Sequence, residues 1–526
     1  MRCVIEFERG ATAPRCPRAW RRRTRSQNGG LRALRYRRTR GEACACVFVR
    51  LAIHTHQAKV VAHLGDYLLT VPIRLYRSVK EVPVTALTIP PLHTDVRRAL
   101  QSVFLDTADR AARQTGFQRR ESKLNGSVFV QALTFGWLHN PQATLEELAQ
   151  VAASLGVPIS SQGLDERFGP QAAALLERVL QAAVVQVLST DPVAVPLLRR
   201  FAGGVCLLDT TTLRLPEALA GRWRATGCTR KKGGIKVQVR LNLVDGSLGG
   251  PFLFPGHDHD KQGALYTAPL PAGALHLADL GFFCLRHLAT LSQQGVFWLT
   301  RVKAGTRLVD ATGQRWSLAA FLNQQVADTV DESLTLGVAH PLLCRLVALR
   351  VPPAVAAERR TRLRRRSKKR GWKLHADRLV MTEWNVYATN VPPAMMSVPE
   401  TRVLARCRWQ IELLFKLWKS EGPIDASRSN QPWRIECEIY AKLLGMVVQH
   451  WLLLVACWSH PDRSLVKASR TVRRYATAMA VALPYRHLVH AILTCIQTCL
   501  KTGCRVNRRY GDPPTHQLLS DLPKAG

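Results

Sequence analysis

Gly204-Val205-Cys206-Leu207-Leu208-Asp209 is an apolar run that closes on a carboxylate. It reads as a buried central strand with a charge at its tip. Further on, residues 235–244 alternate, reach the turn Asp245-Gly246 and continue into residues 248–254, the signature of a hairpin. A polar loop, His257-Asp258-His259-Asp260, and a short helix lead to Leu275-His276-Leu277-Ala278-Asp279, a second strand ending on a carboxylate. Residues 285–294 have helical spacing, Gly295 stops them, and residues 296–301 read as a strand. The succession is strand, two-strand hairpin, helix, strand, helix, strand, with acids at the ends of the first and fourth strands. That is the ribonuclease-H-like α/β arrangement, built on a mixed sheet.

A third acid stands in Arg408-Trp409-Gln410-Ile411-Glu412-Leu413-Leu414-Phe415-Lys416-Leu417-Trp418-Lys419. At roughly 100° per residue, Arg408, Glu412, Phe415 and Lys419 share an arc of about 60°, with Lys416 and Ala405 at its edge. The rest of the circumference is apolar apart from Gln410. An amphipathic surface helix with an i,i+4 ion pair would carry a narrower apolar face. The width predicts a largely buried helix, on which a glutamate needs a partner or a metal.

Outside this core, residues 1–80 form an Arg-rich extension, with fourteen arginines and no lysine in the first fifty positions. The lack of periodicity predicts poor order rather than a DNA-binding arm. Residues 81–200 read as a helical domain. Within it, residues 94–115 and Gly126–His139 have helical spacing, and Thr144 with Glu147 forms a capping box. That helix ends before Gly156, and Ser160 or Ser161 can cap a short helix to Phe168, the shape of a helix-turn-helix or of a plain helical hairpin. A further helix is expected over residues 172–189. The core is expected in two parts, residues 201–302 and 402–460. Between them, residues 303–401 read as a β-rich insertion, with strands over residues 342–351 and 379–389. A loop within it, residues 359–370, holds nine basic residues in twelve, among them Arg364, Arg365 and Arg366. It reads as a solvated loop or as a contact for DNA phosphates. Residues 435–458 form a long apolar helix, and residues 461–526 a basic, partly helical tail.

The whole chain is basic: Lys+Arg 75 against Asp+Glu 37 gives a net charge of +38 over 526 residues. Such an excess points to a polyanion, and nucleic acid is the first candidate. A membrane is the second, but no run of eighteen apolar residues appears. The fourteen cysteines lack metal-ligand spacing. Reduced thiols and no signal-peptide pattern predict a cytoplasmic protein, associated with the nucleoid when bound to DNA.

Asp209, Asp279 and Glu412 therefore fall on two strand ends and one helix ridge. Three carboxylates brought together persist only with cations between them, and oxygen-only ligands favour Mg²⁺ or Mn²⁺. Two such ions can clamp a phosphodiester for in-line displacement. Arg408 can then grip a phosphate, with Lys416 and Lys419 neutralising others.

These residues resemble the insertion sequence 4 family of DDE transposases. The resemblance rests on Leu208-Asp209-Thr210-Thr211-Thr212 with Arg214-Leu215-Pro216, on Ala278-Asp279-Leu280-Gly281-Phe282-Phe283, and on Phe297 to Lys303. It is strongest from Arg408 to Lys419, and extends to Thr115-Gly116-Phe117, Arg119-Arg120, Trp384 and Thr389-Asn390-Val391-Pro392. It implies an RNase-H-like core and a metal-binding triad of Asp209, Asp279 and Glu412. It also implies cut-and-paste chemistry on the ends of a mobile element in double-stranded DNA, with a homodimer in the DNA complex. Ala405 replaces a tyrosine of the family signature. On one continuous helix it lies within about 20° of Glu412, so a tyrosine there is expected to reach the site and strengthen cleavage. Two other readings stay open: a nuclease that cuts without joining strands, and a non-catalytic DNA-binding copy.

Overall fold

The first strand, β1 (Val205–Leu215), is buried on both faces as far as Leu208, because the sheet is covered on both sides there. Leu207 points into the largest core, while Leu208 meets Leu265, Tyr266, Ala278 and Phe282 on the opposite face. The computed structural model describes residues 90–226, 233–460, 462–507 and 514–521. The Arg-rich extension expected over residues 1–80 lies outside them.

β1 pairs antiparallel with β2 (Gly233–Asn242), which pairs with β3 (Leu248–Pro255). On its other side β1 runs parallel to β4 (Leu275–Ala278), and β4 parallel to β5 (Phe297–Arg301). The order β3-β2-β1-β4-β5 is the ribonuclease-H-like core expected from the sequence. The sheet continues through residues 303–401. β6 (Arg307–Val309), β7 (Arg315–Ser317), β8 (Thr329–Leu336), β9 (Leu342–Arg350) and β10 (Trp384–Thr389) extend it to ten strands, β10 pairing with β5. A second core under this half contains Trp298, Leu346, Trp384 and Val386.

Before the sheet come α1 (Pro91–Gln101), a π-helical stretch (Ser102–Thr107), α2 (Ala108–Gln114) and α3 (Gly126–His139). α4 (Leu145–Ser154) starts at the expected capping box of Thr144 and Glu147. Gly156, at φ +86°, makes the following turn. Ser160 caps α5 (Ser161–Asp165), whose five residues are little more than one turn, short for a helix that lies along a groove. α6 (Pro170–Val185) ends four residues earlier than the spacing suggested.

Two expectations for the second half need correction. The basic run is no loop: it belongs to α7 (Pro353–Arg370), ended by Gly371 at φ +65°. The strand expected from residue 379 starts only at Trp384, because Ala376–Val380 is a short helix. Then α8 (Val398–Cys407), opened by a Ser397–Glu400 capping box, leads to α9 (Trp409–Glu421), with Arg408 at the junction. α10 (Pro432–Leu454) is buried along most of its length. α11 (Leu465–Arg474) and α12 (Arg486–Thr502) close the same core, so the tail is an integral layer.

Candidate active site

Parallel pairing puts Leu208 beside Ala278, so Asp209 and Asp279 leave adjacent strands one residue past the same rung. Asp209 continues within β1, opposite Val239 of β2, and its carboxylate accepts the Thr210 N–H at 2.8 Å. Asp279 stands at the N-cap position of a short 3-10 turn, Leu280–Phe282, without a side-chain cap bond, and is exposed. Glu412 lies in the first turn of α9, where a negative charge complements the helix dipole. α9 reaches the sheet because Ile411, Leu414, Phe415, Leu417 and Trp418 are buried, as its wide apolar face predicts. Trp409 and Leu413 remain exposed on its outer side.

Asp209 and Glu412 line one cavity of about 490 Å³ together with Thr210, Thr211, Lys416 and Lys419. Asp279 stands outside this lining. Burial pushes the Asp209 carboxyl up to about 6, against the opposing pull of the Thr210 N–H and the Arg408 guanidinium; the charges of Asp279 and Glu412 add to the rise. Both other acids are thus felt at Asp209.

Arg408 lies between two of them. Its guanidinium stands 3.9 Å from the Asp209 carboxylate and forms an ion pair with Glu412. Among the described residues, no three His, Cys, Asp or Glu side chains stand close enough together to hold one ion. The cation expected between the carboxylates is here the guanidinium itself. The donor set, two aspartates and a glutamate all offering oxygen, suits Mg²⁺ or Mn²⁺. The donor types therefore suit such an ion, although three of them are not brought together here.

The other basic residues singled out in the sequence fall into two groups. Lys419 donates to the Thr212 carbonyl at 3.2 Å, tying α9 to β1, and Lys416 is exposed at the cavity. Arg364, Arg365 and Arg366 are exposed on α7 and line no part of this cavity. The inner end of α7 is held by Arg359 on Asn385 and Arg360 on Glu383. Ala405 sits in α8, half-buried and packed against the large core. The expected position on one unbroken helix beside Glu412 therefore does not hold, because the chain changes helix at Arg408. A tyrosine at residue 405 would have to displace core neighbours.

Two features escaped the sequence reading. Trp372, just past the end of α7, has the Arg366, Arg370 and Arg378 guanidinia 5.1–5.8 Å from its ring. Gln238, fully buried on β2, approaches the Thr210 hydroxyl at 3.5 Å, donates to the Asp260 carbonyl and accepts the Leu265 N–H. A Cβ at Gly263 would stand 2.4 Å from its amide, so any larger residue there would push the Gln238 side chain off these partners.

An aspartate within β1, a second just past the end of β4, a glutamate on a helix packed against the sheet and a basic cavity mouth are compatible with chemistry on a phosphodiester. Residues 200–447 match the family described as Transposase DDE domain. The chain is also similar to the transposase for insertion sequence element IS231F of Bacillus thuringiensis subsp. israelensis, with 26% identity over 381 residues, covering 68% of this chain and 79% of the relative. The transposase for IS1151 of Clostridium perfringens is 22% identical over 382 residues, 68% of this chain and 80% of its own. The putative transposase InsL for IS186A of Escherichia coli (strain K12) is 29% identical over 311 residues, 53% of this chain and 80% of its own. Residues 200–447 are thus similar to a transposase DDE domain. Among the described residues, no helix is long and apolar enough to cross a membrane.

Proposed function

We propose that this chain is an insertion-sequence transposase that binds the ends of its element in double-stranded DNA and catalyses strand cleavage followed by strand transfer. The observation that carries this reading is the shared cavity of Asp209 and Glu412, with Asp279 on the next strand end and Arg408, Lys416 and Lys419 around them. The finer placement in the insertion sequence 4 family rests on the spacing of Arg408, Glu412, Lys416 and Lys419.

Asp209, Asp279 and Glu412 would hold two Mg²⁺ or Mn²⁺ ions. Such ions supply Lewis-acid stabilisation of the attacking and leaving oxygens of an in-line displacement. The protein's own groups do the rest. Lys416 at the cavity attracts the scissile strand, and Arg408, once it leaves the carboxylates, offers a two-pronged donor to a phosphate. Lys419 holds α9 on β1 through the Thr212 carbonyl, so that Glu412 keeps its position opposite Asp209. Arg364, Arg365 and Arg366 contact DNA backbone away from the reacting bond. The helical domain before the sheet contributes to end binding, and a homodimer assembles on the DNA, at the nucleoid.

The test uses a duplex built on inverted repeats, once these are identified in the DNA flanking the gene. Asp209→Asn, Asp279→Asn and Glu412→Gln should each abolish Mg²⁺-dependent cleavage while leaving DNA binding intact. Near wild-type cleavage by any one of them removes that residue from the triad. Cleavage without joining in the wild type would favour the nuclease reading.

A further inference from the structure

The far end of the helix that bears Glu412 is held by a contact that lies outside the matched domain. Glu421, the last residue of α9, is buried, although a carboxylate at a helix C-terminus faces the negative end of the dipole. Two arginines of α11 offset this. Arg470 donates to both carboxylate oxygens, at 3.1 and 2.8 Å. Arg473 donates to one carboxylate oxygen at 3.3 Å and to the Glu421 main-chain carbonyl at 3.2 Å.

The same Arg473 reaches a third element. Its other terminal nitrogen donates to the His139 carbonyl at 3.5 Å, and the His139 ring approaches the Arg473 carbonyl at 3.2 Å. His139 is the last residue of α3. One guanidinium therefore serves the terminal carbonyls of two helices, α3 and α9, each left without an intrahelical donor. Arg428, in the segment after α9, adds a parallel link to the Gln142 carbonyl at 2.5 Å. A lysine could not span this arrangement, because it lacks the fixed fork that addresses two acceptors on different elements.

We infer that Arg473 is a positioning residue for the active site: through Glu421 it fixes α9, and with it Glu412, against the helical domain before the sheet and the tail after it. The inference rests on the reading of Glu412 as a metal-binding carboxylate. Glu412 and Glu421 are nine residues apart on one helix, about 13 Å along its axis, so Arg473 acts through the helix and not on the DNA. A shift of about 1 Å at a reacting group costs on the order of 10²-fold in rate, so a loosened helix end is enough to be felt at Glu412.

The experiment uses the full chain with Arg473→Ala, Arg473→Lys, Glu421→Gln and, as a control, Glu412→Gln. Single-turnover cleavage of the end-containing duplex, direct Mn²⁺ binding without DNA, DNA affinity without metal and thermal melting are measured for each. Arg473→Ala and Arg473→Lys should weaken Mn²⁺ binding several-fold and slow cleavage about 10–100-fold, with DNA affinity within about twofold of wild type. Arg473→Lys, which keeps the charge and the folded protein, guards against simple misfolding of the alanine variant. The inference is overturned if both Arg473 variants only lower the melting temperature while Mn²⁺ binding and rate stay at wild-type values. Unchanged Mn²⁺ binding and cleavage in Glu412→Gln would instead sink the reading of the site itself, which separates the two failures.

Discussion

Leu208 and Ala278 are register partners on parallel strands, and the residue after each is an aspartate. This single rung sets the spacing of Asp209 and Asp279. It depends on the parallel crossover from β1 to β4, with the β2–β3 hairpin inserted between them in sequence but placed on the far side of β1. Any change that slips the rung moves one carboxylate to the other face of the sheet. The hairpin therefore matters to the site although it carries none of the three acids.

The hairpin turn gives a stability prediction. Gly246 has φ +74°, and a Cβ there would stand 2.5 Å from Leu454 at the end of α10 and 2.7 Å from Trp458. Gly246→Ala meets both a backbone penalty and overpacking, and should cost about 2–4 kcal/mol of unfolding free energy. Denaturant melts of variant and wild type measure it. A change below about 0.5 kcal/mol would mean that the turn relaxes freely.

A second prediction concerns α7. Its inner end is tied down by Arg359 and Arg360, whereas Arg364, Arg365 and Arg366 are exposed and make no ion pair among the described residues. Replacing all three by glutamine should flatten the log–log salt dependence of DNA binding by about 2 to 3, since each neutralised phosphate contributes roughly 0.9. The fold should be unaffected. An unchanged slope would show that this helix face does not touch DNA.

These sites differ in how far the sequence announced them. The end of β4 was legible because an apolar run closing on a charge has few other readings, whereas β1 runs six residues past Asp209, to Leu215, because its polar second half still pairs with β2. Glu412 was legible from the arc that it shares with Arg408. The α7 helix was not: nine basic residues in twelve give no apolar period, and only Ala356 and Ser367 are buried along it. The break at Arg408 was equally silent, since the apolar pattern runs on through it. The role of Thr389-Asn390 is visible only in three dimensions. The Thr389 hydroxyl donates to the Trp298 carbonyl at 2.6 Å, and the Asn390 amide closes on Trp298 and Val296, so the pair fastens β10 to β5. Arg473 could not be found at all, because the carbonyls that it joins are 334 and 52 residues away.

The Asp209 carboxyl predicts a pH dependence. Its value of about 6 in the folded protein lies above the ordinary 3.8, mainly through burial. The folded state therefore holds the proton more tightly than the unfolded chain does. That contribution is complete below about pH 4 and is lost as the pH rises through about 6. Asp209→Asn removes the titration, so in metal-free buffer it should raise the melting temperature relative to wild type more at about pH 7.5 than at about pH 4.5. Equal differences at the two pH values would show that burial does not perturb this group.

Arg408 gives the last prediction. Its guanidinium supplies positive charge between Asp209 and Glu412, where the proposed divalent ion would also sit. If the proposed ion uses the same oxygens, it would have to displace the guanidinium before binding. Arg408→Gln removes the competitor and leaves two close carboxylates without a counter-charge. Without metal the variant should melt below wild type, because breaking a partly buried pair leaves its acids uncompensated. With Mn²⁺ in excess the order should narrow or reverse, since the ion now binds without a competitor and stabilises by mass action. Cleavage should nonetheless fall, because the phosphate grip that Arg408 provides after its release is gone; one charge-assisted contact of about 1.5–3 kcal/mol corresponds to roughly one to two decades in rate. Melting curves with and without Mn²⁺, alongside the cleavage assay, separate the two roles. A Mn²⁺-induced rise in melting temperature no larger in Arg408→Gln than in wild type would show that the guanidinium does not occupy the ion's place.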